Sequence, residues 1–99
     1  IILPTVMEYN LPGLEEKVKR MSEAMQFEDH SVDSFKNNLN IMLDDLKIPN
    51  GLNEIGVPED CYERIAKKSM LDQAYGQNPK KASLDEVKQL TLKSIKKAR

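Results

Sequence analysis

The segment SVDSFKNNLNIMLDDLK, residues 31–47, decides the fold class. Its apolar side chains Val32, Phe35, Leu39, Met42 and Leu46 step by three, four, three and four, a spacing that lines one face of an α-helix and no face of a strand. Ile41 and Leu43 widen the stripe. Ser31 stands at the N-cap, where a hydroxyl accepts a backbone N–H of the first turn. Lys47 meets the negative end of the helix dipole, and Pro49 stops the helix.

The same period recurs on both sides. Upstream, Leu14, Val18, Met21 and Met25 trace one face of a shorter helix with Glu15 and Glu16 at its positive end. Asn10-Leu11-Pro12-Gly13 carries turn chemistry and separates it from residues 1–10, which read as the end of a further helix with Pro4 in a first turn or at a kink. The chain opens without methionine inside the apolar run Ile1-Ile2-Leu3, so it is expected to be a piece of a longer protein.

Downstream, Leu52 and Ile55 offer one apolar turn before Gly56. Pro58 then starts another helix with Cys61 or Tyr62, Ile65, and Ser69 or Met70 facing inward, ending near Asp72. Residues 73–82 contain Gly76, Asn78 and Pro79 and no periodicity, so they read as an ordered loop. Ser83-Leu84-Asp85-Glu86 is a capping box that opens the last helix, with Leu84, Val87, Leu90 or Thr91, and Ile95 inward. No alternating apolar and polar run of strand type occurs. The expected fold is all-α, a single domain over residues 1–99 built as a small bundle of about five helices, with the ordered loop before the last one.

Composition narrows the function classes. Ninety-nine residues allow one small core, and the 39% apolar content makes that core thin. A net charge of −1 removes the basic field of a dedicated nucleic-acid binder. No apolar run reaches the ~18–20 residues that a membrane-spanning helix needs, so no membrane partner is expected. The single cysteine, Cys61, forms no internal disulfide, which favours a reducing compartment and a cytoplasmic location. Cys61 lacks a neighbouring base and reads as a buried structural thiol. The five methionines read mostly as core filling. Lys88, Lys93, Lys96, Lys97 and Arg99 read as a solvated basic helix end.

Site chemistry is sparse. His30 lies among Glu28, Asp29 and Asp33, but no second imidazole is near and adjacent carboxylates diverge on a helix, so the expected metal set is none. Asp44 to Glu54 fails as a calcium loop, because placing Gly51 at its sixth position puts Leu46 where the first aspartate belongs. Gly13, Gly51, Gly56 and Gly76 are too far apart for a phosphate cradle. No catalytic and no cofactor-binding residue is expected within the chain.

Several segments in order resemble a known family. Ile1-Ile2-Leu3-Pro4-Thr5-Val6-Met7-Glu8-Tyr9-Asn10, then Leu46-Lys47-Ile48-Pro49, Leu52-Asn53-Glu54-Ile55-Gly56-Val57, and Asp72 with Gly76-Gln77-Asn78-Pro79-Lys80 ahead of the capped last helix, resemble the iron-containing, or group III, alcohol dehydrogenases. The resemblance covers nearly the whole chain. It implies a two-domain parent enzyme with an N-terminal dinucleotide-binding α/β domain, an all-helical C-terminal domain, and iron or zinc between them. Such enzymes interconvert alcohols and aldehydes or ketones by hydride transfer with NAD(P). The family's metal ligands, an aspartate and three histidines, lie upstream of the segment matched by Ile1, so none carries over.

The same resemblance implies that the loop from Gln73 to Pro79 lines the substrate side, with Gln73, Ala74, Tyr75 and Gly76 as a pocket wall. Thr5 stands where many members carry histidine, a position outside the family's metal set; Tyr75 replaces a residue that is often small and Lys80 a frequent arginine, and these two leave the substrate open. The implied partners are the N-terminal portion of the parent enzyme and a small alcohol or aldehyde, and the 99 residues alone are expected to be inactive. The alternative from another class is a free-standing helical module that binds a partner protein through its apolar surfaces.

Overall fold

The computed structural model describes all residues from Ile1 to Arg99 and contains helices and turns without a strand. Five α-helices form: α1 (Leu3–Asn10), α2 (Glu15–Ala24), α3 (Val32–Asp45), α4 (Tyr62–Ser69) and α5 (Leu84–Lys96). Short 3-10 helices fill the connections at Leu52–Ile55, Glu59–Cys61 and Gln73–Gln77. The all-α bundle read from the periodicity is the fold. Pro4 sits in the first turn of α1, where its missing N–H costs nothing. Ser31 caps α3 by accepting from the Ser34 N–H at 3.1 Å. At the start of α5, Ser83 Oγ accepts from the Glu86 N–H at 3.2 Å, and Glu86 Oε2 accepts from the Ser83 N–H at 2.8 Å, a complete capping box.

α5 is the central element. It packs most extensively on α4 and also touches α1 and the first two 3-10 turns, while α3 packs on α1 and α2. The molecule measures 40 × 29 × 18 Å, so it is about two helix layers thick. Thirteen of 99 residues are buried, as a thin core requires. Leu11, Val18 and Phe35 make one buried cluster, against which Met7, Phe27 and Val32 pack, with the Phe27 and Phe35 rings edge to face at 6.0 Å. Ala66 on α4 and Ile95 on α5 are fully buried on the other side.

Several expectations are corrected. Met21, Met25 and Met42 are 39–43% exposed and Leu46 is 63% exposed, so the methionines are not chiefly core residues. The buried face of α2 is centred on Val18 and Ser22, and Met21 and Met25 fall at its margin. In α3 only Phe35 and Leu39 are buried, and the stripe stands exposed at Met42 and Leu46. Cys61 is half-buried, ends a 3-10 turn, and accepts from Arg64 Nη2 at 3.4 Å, so it is not a buried packing thiol. The helix expected from Pro58 to Asp72 is α4 preceded by that 3-10 turn, and the segment 73–82, expected to lack regular structure, opens with the 3-10 helix Gln73–Gln77.

The basic end of α5 is not simply solvated. Lys88 pairs with Glu63 at 3.5 Å, Lys96 with Glu59 at 2.9 Å, Lys93 with Glu8, and Arg99 with Asp44 at 2.8 Å. The cause is the central place of α5, which brings carboxylates from its surroundings within reach. The Lys93 ammonium holds the Glu8 carboxyl below the usual carboxylate range.

Ser22 is fully buried and its Oγ has no hydrogen-bond partner. An unpaired buried hydroxyl is a desolvation cost without return, so Ser22→Ala is expected to raise the unfolding free energy by about 1 kcal/mol. Urea unfolding followed by circular dichroism checks this; a loss of similar size would show that the hydroxyl is paired in solution.

Candidate functional site

The loop between α4 and α5 is built from local capping chemistry. Asp72 Oδ1 accepts from the Ala74 N–H at 2.8 Å and so starts the 3-10 turn. The Tyr75 hydroxyl donates to the Ala82 carbonyl, which closes the loop on itself. The Asn78 N–H bonds the Tyr75 carbonyl at 3.3 Å, and the Asn78 amide also donates to the Lys80 carbonyl.

Contacts that leave the loop by hydrogen bond go to the end of α1. Asn10 Nδ2 donates to Asn78 Oδ1 at 2.7 Å, and Asn78 Nδ2 donates back to Asn10 Oδ1 at 2.9 Å. The Tyr9 hydroxyl donates to Glu86 Oε2 at 3.1 Å and lies 3.4 Å from the Lys81 carbonyl. The Lys80 ammonium sits 4.1 Å from the centre of the Tyr9 ring, within cation–π range. Burial first, and then the Glu86 carboxylate, pushes the Tyr9 phenol above its ordinary range. Glu86 is held below the carboxylate range by the Ser83 N–H and by the Tyr9 hydroxyl.

This loop borders a mostly apolar cavity of about 360 Å³ between α1, α4 and α5. Val6, Ile65, Val87 and Leu90 supply its apolar sides, and Ala74 and Tyr75 border it from the loop. Of the four residues expected as a pocket wall, Ala74 and Tyr75 therefore line the cavity. Gln73 and Gly76 are exposed and lie outside its lining. Sequence reasoning gave Tyr9 and Asn10 no part in the site, because a bond such as that from Asn10 to a loop 68 residues further on leaves no local pattern.

The donor chemistry of this chain does not fit a metal. No three His, Cys, Asp or Glu side chains converge. His30 Nε2 lies 3.0 Å from the Phe27 carbonyl and Nδ1 lies 3.9 Å from Glu23, a local helix-end contact. The glycines do not form a dinucleotide cradle either, since Gly13 and Gly56 occupy separate turns at φ near 90° and no strand precedes a glycine-rich helix start. No helix is long and apolar enough to cross a membrane.

The profile of the Fe-containing alcohol dehydrogenase family, C-terminal, matches residues 1–95. The chain belongs to that family. Among curated relatives, it is similar to a 4-hydroxybutyrate dehydrogenase of Cupriavidus necator, 23% identical over an alignment of 99 positions that covers 96% of this chain and 25% of the relative. It is also similar to a choline dehydrogenase of Bacillus subtilis strain 168, 38% identical over an alignment of 82 positions that covers 76% of this chain and 20% of the relative. The chain thus spans a quarter or less of the relatives it matches. No solved structure matches it.

Proposed function

We propose that these residues form the C-terminal helical part of an NAD(P)-dependent alcohol dehydrogenase, in which an alcohol gives up a hydride and becomes an aldehyde or ketone. The family match over residues 1–95 carries the reading. On this reading residues 1–99 are one part of a larger helical domain in a cytoplasmic enzyme. On it the dinucleotide and the iron or zinc are held by residues outside this chain, in keeping with the lack of a converging His, Cys, Asp or Glu set for the metal. The isolated chain then carries out no chemistry. Its partner is the rest of the subunit, which would cover apolar side chains left outside, such as Ile41 and Leu46 at 49% and 63% exposure. The same exposure is what a free-standing interaction module would use, so it favours that second reading equally; the family match favours the first.

The role proposed for this chain is the substrate side of the active cleft, with Ala74 and Tyr75, of the expected set Gln73, Ala74, Tyr75 and Gly76, as wall. The placing of Ala74 and Tyr75 beside an apolar cavity supports it. Ala74 is the smallest side chain on that wall. In the complete enzyme, Ala74→Phe is expected to lower kcat/KM for hexan-1-ol relative to ethanol by about tenfold, since excluding a few methylenes from a pocket is worth that much. Steady-state kinetics on both alcohols check it; an unchanged ratio removes the loop from the pocket.

A further inference from the structure

The loop that carries Ala74 and Tyr75 has little to hold it except α1. Its internal bonds, Asp72 to Ala74 and Tyr75 to Ala82, shape it without fixing where it stands. The part-buried Asn10 and Asn78 amides exchange two hydrogen bonds, and each uses both its donor and its acceptor in doing so. Asn78 is also bonded through its backbone to Tyr75, so a shift of Asn78 is passed to the residues that border the cavity.

We propose that the reciprocal Asn10–Asn78 amide pair is a positioning element that sets which size of alcohol the loop wall admits. This rests on the reading of residues 73–79 as a substrate wall. Two parallel bonds between planar amides fix both distance and orientation, which a single bond or the Lys80 contact over Tyr9 does not do. Without the pair the loop keeps its internal turn but samples several positions against α1, and the wall no longer discriminates by length. Asn78 itself borders the cavity and Asn10 does not, so replacing Asn10 breaks the pair without altering the lining.

The test uses the complete enzyme and three variants: Asn10→Ala, Asn78→Ala and the double replacement. Asn10→Ala is the clean probe, because alanine favours the helix it ends and the bond from Asn78 to the Lys80 carbonyl survives. The ratio of kcat/KM between ethanol and hexan-1-ol is expected to move toward one by about tenfold, the scale on which a loosened pocket loses discrimination. The kcat for the better alcohol stays within about twofold, and amide exchange at residues 74–77 quickens. The double variant matches Asn78→Ala, because the pair is already broken there and removing Asn10 takes away nothing more. Faster exchange with an unchanged ratio overturns the proposal, as do effects that add in the double variant. An unsubstituted enzyme that reduces NAD(P) with none of ethanol, hexan-1-ol, 4-hydroxybutyrate and choline overturns the dehydrogenase reading itself, and the positioning role with it, a result distinct from the other two.

Discussion

Gly51→Ala is expected to cost the 99-residue chain about 3 kcal/mol of unfolding free energy, at the upper end of what forcing a methyl into a packed site costs. Gly51 is buried, with an extended backbone at φ −151° and ψ 154° that any residue adopts, so its need is for space and not for conformational freedom. A Cβ there would stand 2.6 Å from the Ile95 carbonyl, 2.9 Å from the Lys96 carbonyl and 2.5 Å from Asn53 Oδ1. The side-chain oxygen can turn away; the two carbonyls belong to the last turn of α5 and cannot. They are held by the clasp around them. The Ala98 N–H bonds the Asn50 carbonyl at 2.6 Å, and the Arg99 N–H bonds Asn50 Oδ1 at 2.8 Å. The Arg99 guanidinium reaches the Ile48 carbonyl at 2.6 Å as well as Asp44. Making room for alanine means prising the chain end from the connection after α3. Gly76→Ala is the control, since a Cβ there meets nothing within 4 Å and should leave stability within about 0.5 kcal/mol of the parent. Urea unfolding of both variants decides it, and equal midpoints would refute the close approach.

Local chemistry was legible in the residues and tertiary closure was not. The stripe from Val32 to Leu46, the Ser31 cap and the Ser83 capping box each depend on neighbours within four residues, and each stands where the spacing puts it. The ends of α2 and α3 were harder. Both close in a Schellman motif, with Phe27 N–H to Ser22 carbonyl at 3.0 Å and Ile48 N–H to Leu43 carbonyl at 2.9 Å. The left-handed residues are Gln26 at φ 60° and Lys47 at φ 55°, where glycine would be the readable signal. How much of an apolar stripe is covered depends on which elements pack over it, a tertiary fact, so Leu46 reads as core and stands exposed. For the site, turn residues located the loop, whereas the Asn10 and Tyr9 ties to it join positions 68 to 77 apart and became visible only in the fold.

Ile95→Ala is expected to cost about 3 kcal/mol, within the usual range for truncating a fully buried isoleucine. Ile95 is the largest side chain with no exposure at all, and it sits on the helix that touches α1, α4 and the 3-10 turns. In a chain with 13 buried residues there is little other apolar burial to absorb the loss, which is about a fifth to three-fifths of the total stability of a domain this size. Leu71→Ala removes an apolar side chain of similar volume that is 86% exposed, and should change stability by less than about 0.5 kcal/mol. Comparable losses in the two variants would mean that α5 is not buried as described. The two large effects are also coupled. The carbonyl that would meet a Cβ at position 51 belongs to Ile95, and removing the Ile95 side chain leaves a void into which the last turn of α5 can shift. The double variant Gly51→Ala with Ile95→Ala is therefore expected to lose about 1 kcal/mol less than the sum of the single losses, the size of coupling seen between contacting sites. Strict additivity would place the clash at Lys96 or Asn53 instead, where the position of Ile95 has no influence.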